Sequence, residues 1–208
     1  MDEIRSNFAL LRGTVSRRPV YSHESRGEAF YRLSMDVSRL SGAVDTIHII
    51  ARDALLDELE VPLPGRENAK LRVEGELRSF NNKRGVGPKL IITVFAKALR
   101  FEPGEDENVI ELRGTLCKPP THRVTPMGRE ICDLMLAVNR RYGRSDYLPC
   151  IAWGLSAREA AGWSVGDAVR LTGRIQSRNY TKVIDGDSVI KTAFEVSVIG
   201  IEKDADSL

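Results

Sequence analysis

The chain repeats itself. Asn7, Leu11-Arg12-Gly13-Thr14, Pro19, Gly27, Leu33, Val37, Arg39, Gly42, Asp45 and Ala51 recur 101 residues later. Their counterparts are Asn108, Leu112-Arg113-Gly114-Thr115, Pro120, Gly128, Leu134, Val138, Arg140, Gly143, Asp146 and Ala152. Farther on the offset falls to 98, where Arg72-Val73-Glu74-Gly75 answers Arg170-Leu171-Thr172-Gly173. The first copy spends the three extra residues around Pro62-Leu63-Pro64-Gly65. A period of about 100 residues is the size of a small domain, so this is a duplicated domain and not a solenoid. Two such copies fill the 208 residues.

Hydrophobic alternation gives each copy the same order: strand, hairpin, strand, turn, strand, short helix, strand, loop, strand. In the first copy the segments are Phe8–Val15, Ala29–Val37, Thr46–Ala51, a helix over Ala54–Leu59, Lys70–Ser79 and Leu90–Arg100. In the second they are Val109–Cys117, Glu130–Val138, Tyr147–Trp153, a helix over Ala157–Gly162, Ala168–Ser177 and Val189–Ile201. Gly13 and Gly114 fall inside strands, where glycine marks a bulge or bend that lets a small sheet curl closed. Pro149 interrupts a strand and is expected to mark an edge or a bulge. Five strands with one helix between the third and fourth is the order of the OB-fold, a five-stranded Greek-key barrel. The expected class is therefore all-β, with two tandem OB-folds at 1–102 and 108–202. A short acidic linker at 103–107, within Glu102-Pro103-Gly104-Glu105-Asp106-Glu107, joins them, and a short tail covers 203–208.

Strand parity sorts residues by face. In the stretch Arg170–Tyr180, Arg170, Thr172, Arg174, Gln176, Arg178 and Tyr180 share one side, while Val169, Leu171, Gly173 and Ile175 share the other. In the third strand of the second copy Tyr147, Ile151 and Trp153 project together, opposite Leu148, Cys150 and Ala152. Large rings on a solvated cationic face suit a single-stranded nucleic acid, which offers unpaired bases to stack and phosphates to neutralise. Packing of Trp153 and Tyr147 beneath a loop or a second subunit fits parity equally well.

Charge adds a constraint. Residues 1–107 hold 17 Lys/Arg and 17 Asp/Glu, and residues 108–208 hold 14 and 12, so any nucleic-acid surface is a local stripe and not a field. Catalysis has little to build on. There is no P-loop or dinucleotide glycine fingerprint, and His23, His48 and His122 lack partners at metal-ligand spacing. Cys117, Cys132 and Cys150 have no metal-type spacing and read as buried thiols. No enzyme activity, metal or cofactor is expected. No apolar run reaches the ~20 residues a bilayer requires, and Met1–Arg12 does not read as a signal peptide, so a cytoplasmic protein with no membrane partner is expected.

The second half resembles bacterial single-stranded DNA-binding proteins. The resemblance rests on an ordered series: NVIELRGTL (Asn108–Leu116), the Pro120/Arg123/Thr125/Gly128 hairpin, LAVNR (Leu136–Arg140), AWG (Ala152–Gly154), AREAA (Ala157–Ala161), VGDAVRLTGRIQSRNY (Val165–Tyr180) and FEVSV (Phe194–Val198). It implies sequence-independent binding and protection of single-stranded DNA in replication, repair or recombination. The family's stacking positions fall here on Tyr142, Tyr147, Trp153 and Tyr180. Arg174 and Arg178 flank them, with Arg123, Arg140, Arg141 and Arg144 on adjacent hairpins. The first copy has Ser41, Thr46, Arg52 and Asn82 at those places and glutamates Glu74 and Glu76 on its fourth strand. A weaker DNA surface is expected there, or one converted to a structural or protein-contact role, with Phe80, His48 and Arg52 as partial substitutes. The loop Asn81–Lys89, with Lys83, Arg84 and Lys89, is either a cover for a bound strand or a plain turn. Family members with one barrel per chain act as tetramers, so a duplicated chain is expected to reach four barrels as a homodimer. Replication or primosome proteins are further expected partners. The chain stops at Lys203–Leu208, so recruitment through the family's long tail with an acidic tip is not expected. Two other readings stand beside this one: a primosomal accessory OB-fold protein, and a structural adaptor whose rings fill a protein interface.

Overall fold

The computed structural model describes residues 6–59, 70–82, 88–140, 143–184 and 187–204. In chain order the elements are β1 (Asn7–Ser25), β2 (Glu28–Ser38), β3 (Val44–Arg52), α1 (Asp53–Asp57), β4 (Lys70–Asn81) and β5 (Leu90–Phe101). These are followed by β6 (Glu107–Leu116), β7 (Thr121–Val124), β8 (Glu130–Asn139), β9 (Ser145–Trp153), α2 (Gly154–Ala161), β10 (Ala168–Ile184) and β11 (Asp187–Lys203). The chain divides into two compact units. The first is Phe8–Arg78 with Ile92–Val109; the second is Ile110–Leu208 with Met1–Asn7 and the β4–β5 tip, Ser79–Ile91.

Each set of five strands closes on itself. In the first, β1 pairs antiparallel with β2 and β4, β2 with β3, and β3 runs parallel to β5 at Ile49↔Val94 and Ile50↔Phe95, with β4 beside β5. The second repeats this: β6 pairs with β8 and β10, β8 with β9, β10 with β11, and β9 runs parallel to β11 at Cys150↔Val196 and Ile151↔Ser197. Both are OB-folds, with a helix after the third strand. The cores are filled by inward residues such as Leu11, Leu33, Ile47, Ile49 and Leu71, and Ile110, Leu112, Leu116, Leu136 and Leu148. Each fully buried side chain of this size contributes roughly 1.5–3 kcal/mol.

The strand glycines have a steric cause. At Gly114 the strand β6 passes from β10 to β8, and a Cβ there would lie 2.5 Å from the Ala137 carbonyl oxygen. At Gly173 a Cβ would lie 2.5 Å from the Ser197 carbonyl oxygen, beside the irregular register at Thr172/Gly173. Their counterparts Gly13 and Gly75 meet backbone oxygens in the same way. Closure of a barrel this small brings backbones too close for any side chain.

Three features depart from the sequence reading. Pro149 makes no bulge: its pairing with Met135 sits in unbroken register. Nor does it mark an edge: β9 lies between β8 and β11, and Pro149 stands just before the two-residue parallel bridge to β11. The hairpin arms are also longer than expected, with β1 continuing to Ser25 and β10 to Ile184. Beyond Ser16 most of β1 is exposed, so it pairs with β2 without burying a face and leaves no alternation to read. In the second copy Pro119 and Pro120 split the same stretch into β6 and β7, whereas the first copy has Pro19 alone and runs through with register shifts. Finally, α2 starts at Gly154, directly off β9, and not at Ala157; Ala157 and Ala160 are its buried residues.

The acidic run Glu102–Glu107 is fastened to the first unit. Glu102 takes ion pairs from Arg12 (2.7 Å), Arg72 (3.4 Å) and Arg100 (2.7 Å), and Glu107 from Arg12 (3.0 Å) and Arg72 (3.3 Å). Asp106 pairs with Lys70 and accepts from the Ser38 N–H (2.8 Å). The hydrogen bond from Arg100 holds the Glu102 carboxyl below its ordinary range. On the outer face of β4, Glu76 pairs with Arg78 and Lys97, and Glu74 with Arg72 and Arg100. Much of the first unit's cationic side is thus matched internally.

Candidate nucleic-acid interface

Four strands of the second unit set one row in register: Arg174 on β10, Ser197 on β11, Ile151 on β9 and Asp133 on β8. The outward residues around this row form the candidate face. Tyr147 is 52% exposed and Trp153 is 41% exposed. The indole Nε1–H of Trp153 donates across the β9–β11 seam to Ser197 Oγ at 3.2 Å. This fixes the ring at its edge. Ile151 shares their parity but is only 4% exposed, a correction to its expected outward place. It sits mid-sheet, flanked by Asp133 and Ser197, beneath the reach of the indole.

The arginines divide into kinds. Arg174 is exposed and makes no ion pair among the described residues. Arg178 lies 6.0 Å from the centroid of the Tyr180 ring, within cation–π range, and pairs with Glu195 at 3.2 Å. Arg123 holds Asp133 through two bonds, at 2.6 and 3.1 Å. Arg140 is turned to a different task. Its Nε donates to Asp146 Oδ2 at 2.6 Å and its Nη2 to Asp146 Oδ1 and to the Ser79 carbonyl oxygen (3.2 Å), while Asp146 is fully buried. The repeat carries the same pair in the first unit, where Arg39 holds fully buried Asp45 at 2.7 and 2.5 Å. Arg140 therefore ties the base of the β8–β9 hairpin. Arg144 on that hairpin is exposed, and Tyr142 and Arg141 lie outside the described residues.

Sequence reasoning passed over Glu195. It stands half-covered among Arg178, Asp133 and Arg123, and burial, above all, pushes its carboxyl up from the ordinary range, against the pull of Arg178. The signal was present in FEVSV, where a single acid stands among uncharged residues of the closing strand. Cys132 and Cys150 are buried free thiols, and burial drives the Cys150 thiol far up; Cys117 is half-buried. Among the described residues no cluster of His, Cys, Asp or Glu is arranged to hold a metal, and no helix is long and apolar enough to cross a membrane.

In the first unit the equivalent face is built differently. Arg52 faces Glu28 at 3.7 Å, and His48, held below its ordinary value by burial and by Arg32 and Arg17, approaches Ser34 at 3.5 Å. His23 stacks on Phe30 at 4.8 Å, and Arg78 lies 5.8 Å from the Phe95 ring centroid. Phe30 and Phe95 are thus engaged by neighbours. Within the loop Asn81–Lys89, residues 83–87 lie outside the described residues, and the loop's base is closed by the Asn82 N–H donating to the Lys89 carbonyl at 2.7 Å.

Residues 107–201 match the model of the Single-strand binding protein family. A Single-stranded DNA-binding protein 3 from Streptococcus agalactiae is 36% identical over 80 residues, 35% of this chain and 58% of that protein. A Single-stranded DNA-binding protein 2 from Listeria innocua is 36% identical over 92 residues, 41% of this chain and 57% of that protein. The chain therefore spans less than two thirds of the length of these curated relatives. The crystal structure of the wild-type single-stranded DNA binding protein from Thermus aquaticus superposes with a TM-score of 0.77 at 21% identity, covering 97% of this chain and 94% of that one. That likeness shows a shared fold. Residues 107–201 of this chain are thus similar to the single-strand binding protein family.

Proposed function

We propose that this protein binds single-stranded DNA without sequence preference, through the open face of its second barrel. Trp153, Tyr147 and Tyr180 stack bases there, and Arg174, Arg178 and Arg123 neutralise phosphates. The observation that carries the reading is Trp153: a large ring on a central strand, exposed, hydrogen-bonded at its edge, with arginines two strands away on either side, on β10 and β7. Interiors bury such rings, and a solvated one beside arginines fits an unpaired base. Tyr142 and Arg141 belong to the same proposal through the family resemblance. Arg140 contributes by holding the β8–β9 hairpin that carries Tyr147. The role is protective and not catalytic, set in the cytoplasm during replication, repair or recombination, with replication or primosome proteins as further partners. A homodimer presenting four barrels is the assembly we propose.

The test is a titration of intrinsic fluorescence with oligo-dT at two salt concentrations, with oligo-U run beside it. Stacking quenches Trp153, and affinity falls as salt rises. A chain whose fluorescence ignores both oligonucleotides is instead a protein-binding adaptor.

A further inference from the structure

The β4–β5 tip, Ser79–Ile91, comes from the first repeat in sequence yet groups with the second unit. The bonds that hold it there converge on one residue. The Ser79 N–H donates to Asp146 Oδ1 at 2.5 Å, the Ser79 carbonyl accepts from Arg140 Nη2 at 3.2 Å, and Ser79 Oγ accepts from the Tyr147 N–H at 2.7 Å. Ser79 is itself buried, and Asp146 is completely so, which makes this a built contact and not a surface touch. One peptide along, about 3.8 Å away in the backbone, stands Phe80, 49% exposed. On the other side of the contact stands Tyr147, 52% exposed. Two large wet rings flank a buried polar clamp. Strand alternation accounts for the placement: in β4 Leu77 and Ser79 turn inward and Phe80 turns out. Nearby, Lys89 is exposed at the closed base of the same hairpin.

We propose that Phe80 is a further base-stacking residue of the second barrel's face, lent by the first repeat and positioned by the Ser79–Asp146–Arg140 clamp. The ligand is the same single strand of nucleic acid, continued from Tyr147 onto Phe80. The inference rests on the function proposed above, and it moves Phe80 from a substitute platform on the first barrel to a shared track with the second.

The full chain is titrated with fluorescein-labelled oligo-dT as wild type, Phe80→Ala and Trp153→Ala. Phe80→Ala is expected to weaken binding about tenfold without altering the unfolding midpoint, since the ring is half in solvent. A second variant reads contact directly: in a Trp153→Phe background, the indole introduced by Phe80→Trp is expected to be quenched on oligo-dT addition. Binding that is unchanged by Phe80→Ala, or an unquenched indole, while Trp153→Ala loses tenfold, overturns this inference and leaves the functional reading standing. A wild-type chain that does not bind oligo-dT overturns both.

Discussion

Trp153 and Glu195 are the residues whose chemistry is most open to measurement. Stacking is worth roughly 1–3 kcal/mol per base, a magnitude taken from single-stranded DNA-binding proteins themselves. Trp153→Ala is therefore expected to weaken oligo-dT binding by tenfold or more with little change in melting temperature. A fall in stability with affinity intact would mean that the ring serves the core. Arg178→Ala is expected to lower the salt slope by about one. Part of that cation is already engaged by Glu195, and this sets a pH dependence. Burial raises the Glu195 carboxyl above its ordinary 4.5, so the folded chain holds its proton more tightly than the unfolded one. Its stabilising contribution is complete below the unfolded value and is lost as pH rises through the folded one. Protonation also releases Arg178 for phosphate. Oligo-dT affinity is expected to rise on acidification from pH 7 towards the ordinary glutamate range. Glu195→Gln should bind more tightly than wild type at pH 7, with the gap closing as pH falls. Parallel curves for the two proteins would remove Glu195 from the interface.

At the scale of elements, the barrels depend on glycines at their seams and on an arginine–aspartate tie at one hairpin. Gly114→Ala drives a methyl into the Ala137 carbonyl and is expected to cost about 1–3 kcal/mol in denaturant unfolding. Asp146→Ala takes the carboxylate from Arg140, itself 24% exposed, and from the buried Ser79 N–H, and is expected to cost roughly 1–3 kcal/mol. Both glycines and both Arg–Asp pairs were visible as identities between the repeats. The sequence showed that they recur and nothing of why, because a close backbone approach or a buried ion pair leaves no periodicity behind. The strands that bury a face were legible from alternation, as in Leu112, Gly114 and Leu116. The outer arms of β1, β2, β10 and β11 were not, since they bond to each other in solvent. Rings and arginines on β9 and β10 were placed by parity alone. Parity failed at Ile151, where a central strand covers even its outer face, and it said nothing of Arg140, whose length lets it turn back to Asp146. Ser79 was read as the end of a strand, and only the folded chain reveals what its backbone grips.

For the molecule as a whole, light scattering is expected to report twice the chain mass, as two duplicated chains supply four barrels; a stable monomer at working concentration would end that assembly. The two copies have also parted in character. One has answered Glu74, Glu76 and the Glu102–Glu107 run with its own arginines. The other keeps Arg174 uncommitted among the described residues. In a ring of identical subunits any substitution appears at every position at once, so a carboxylate that helps one barrel fold would spoil the grip of them all. Tethering two barrels in a single polypeptide lifts that constraint, and under the function proposed above it would leave one module free to become ballast and brace while its sibling goes on holding the strand.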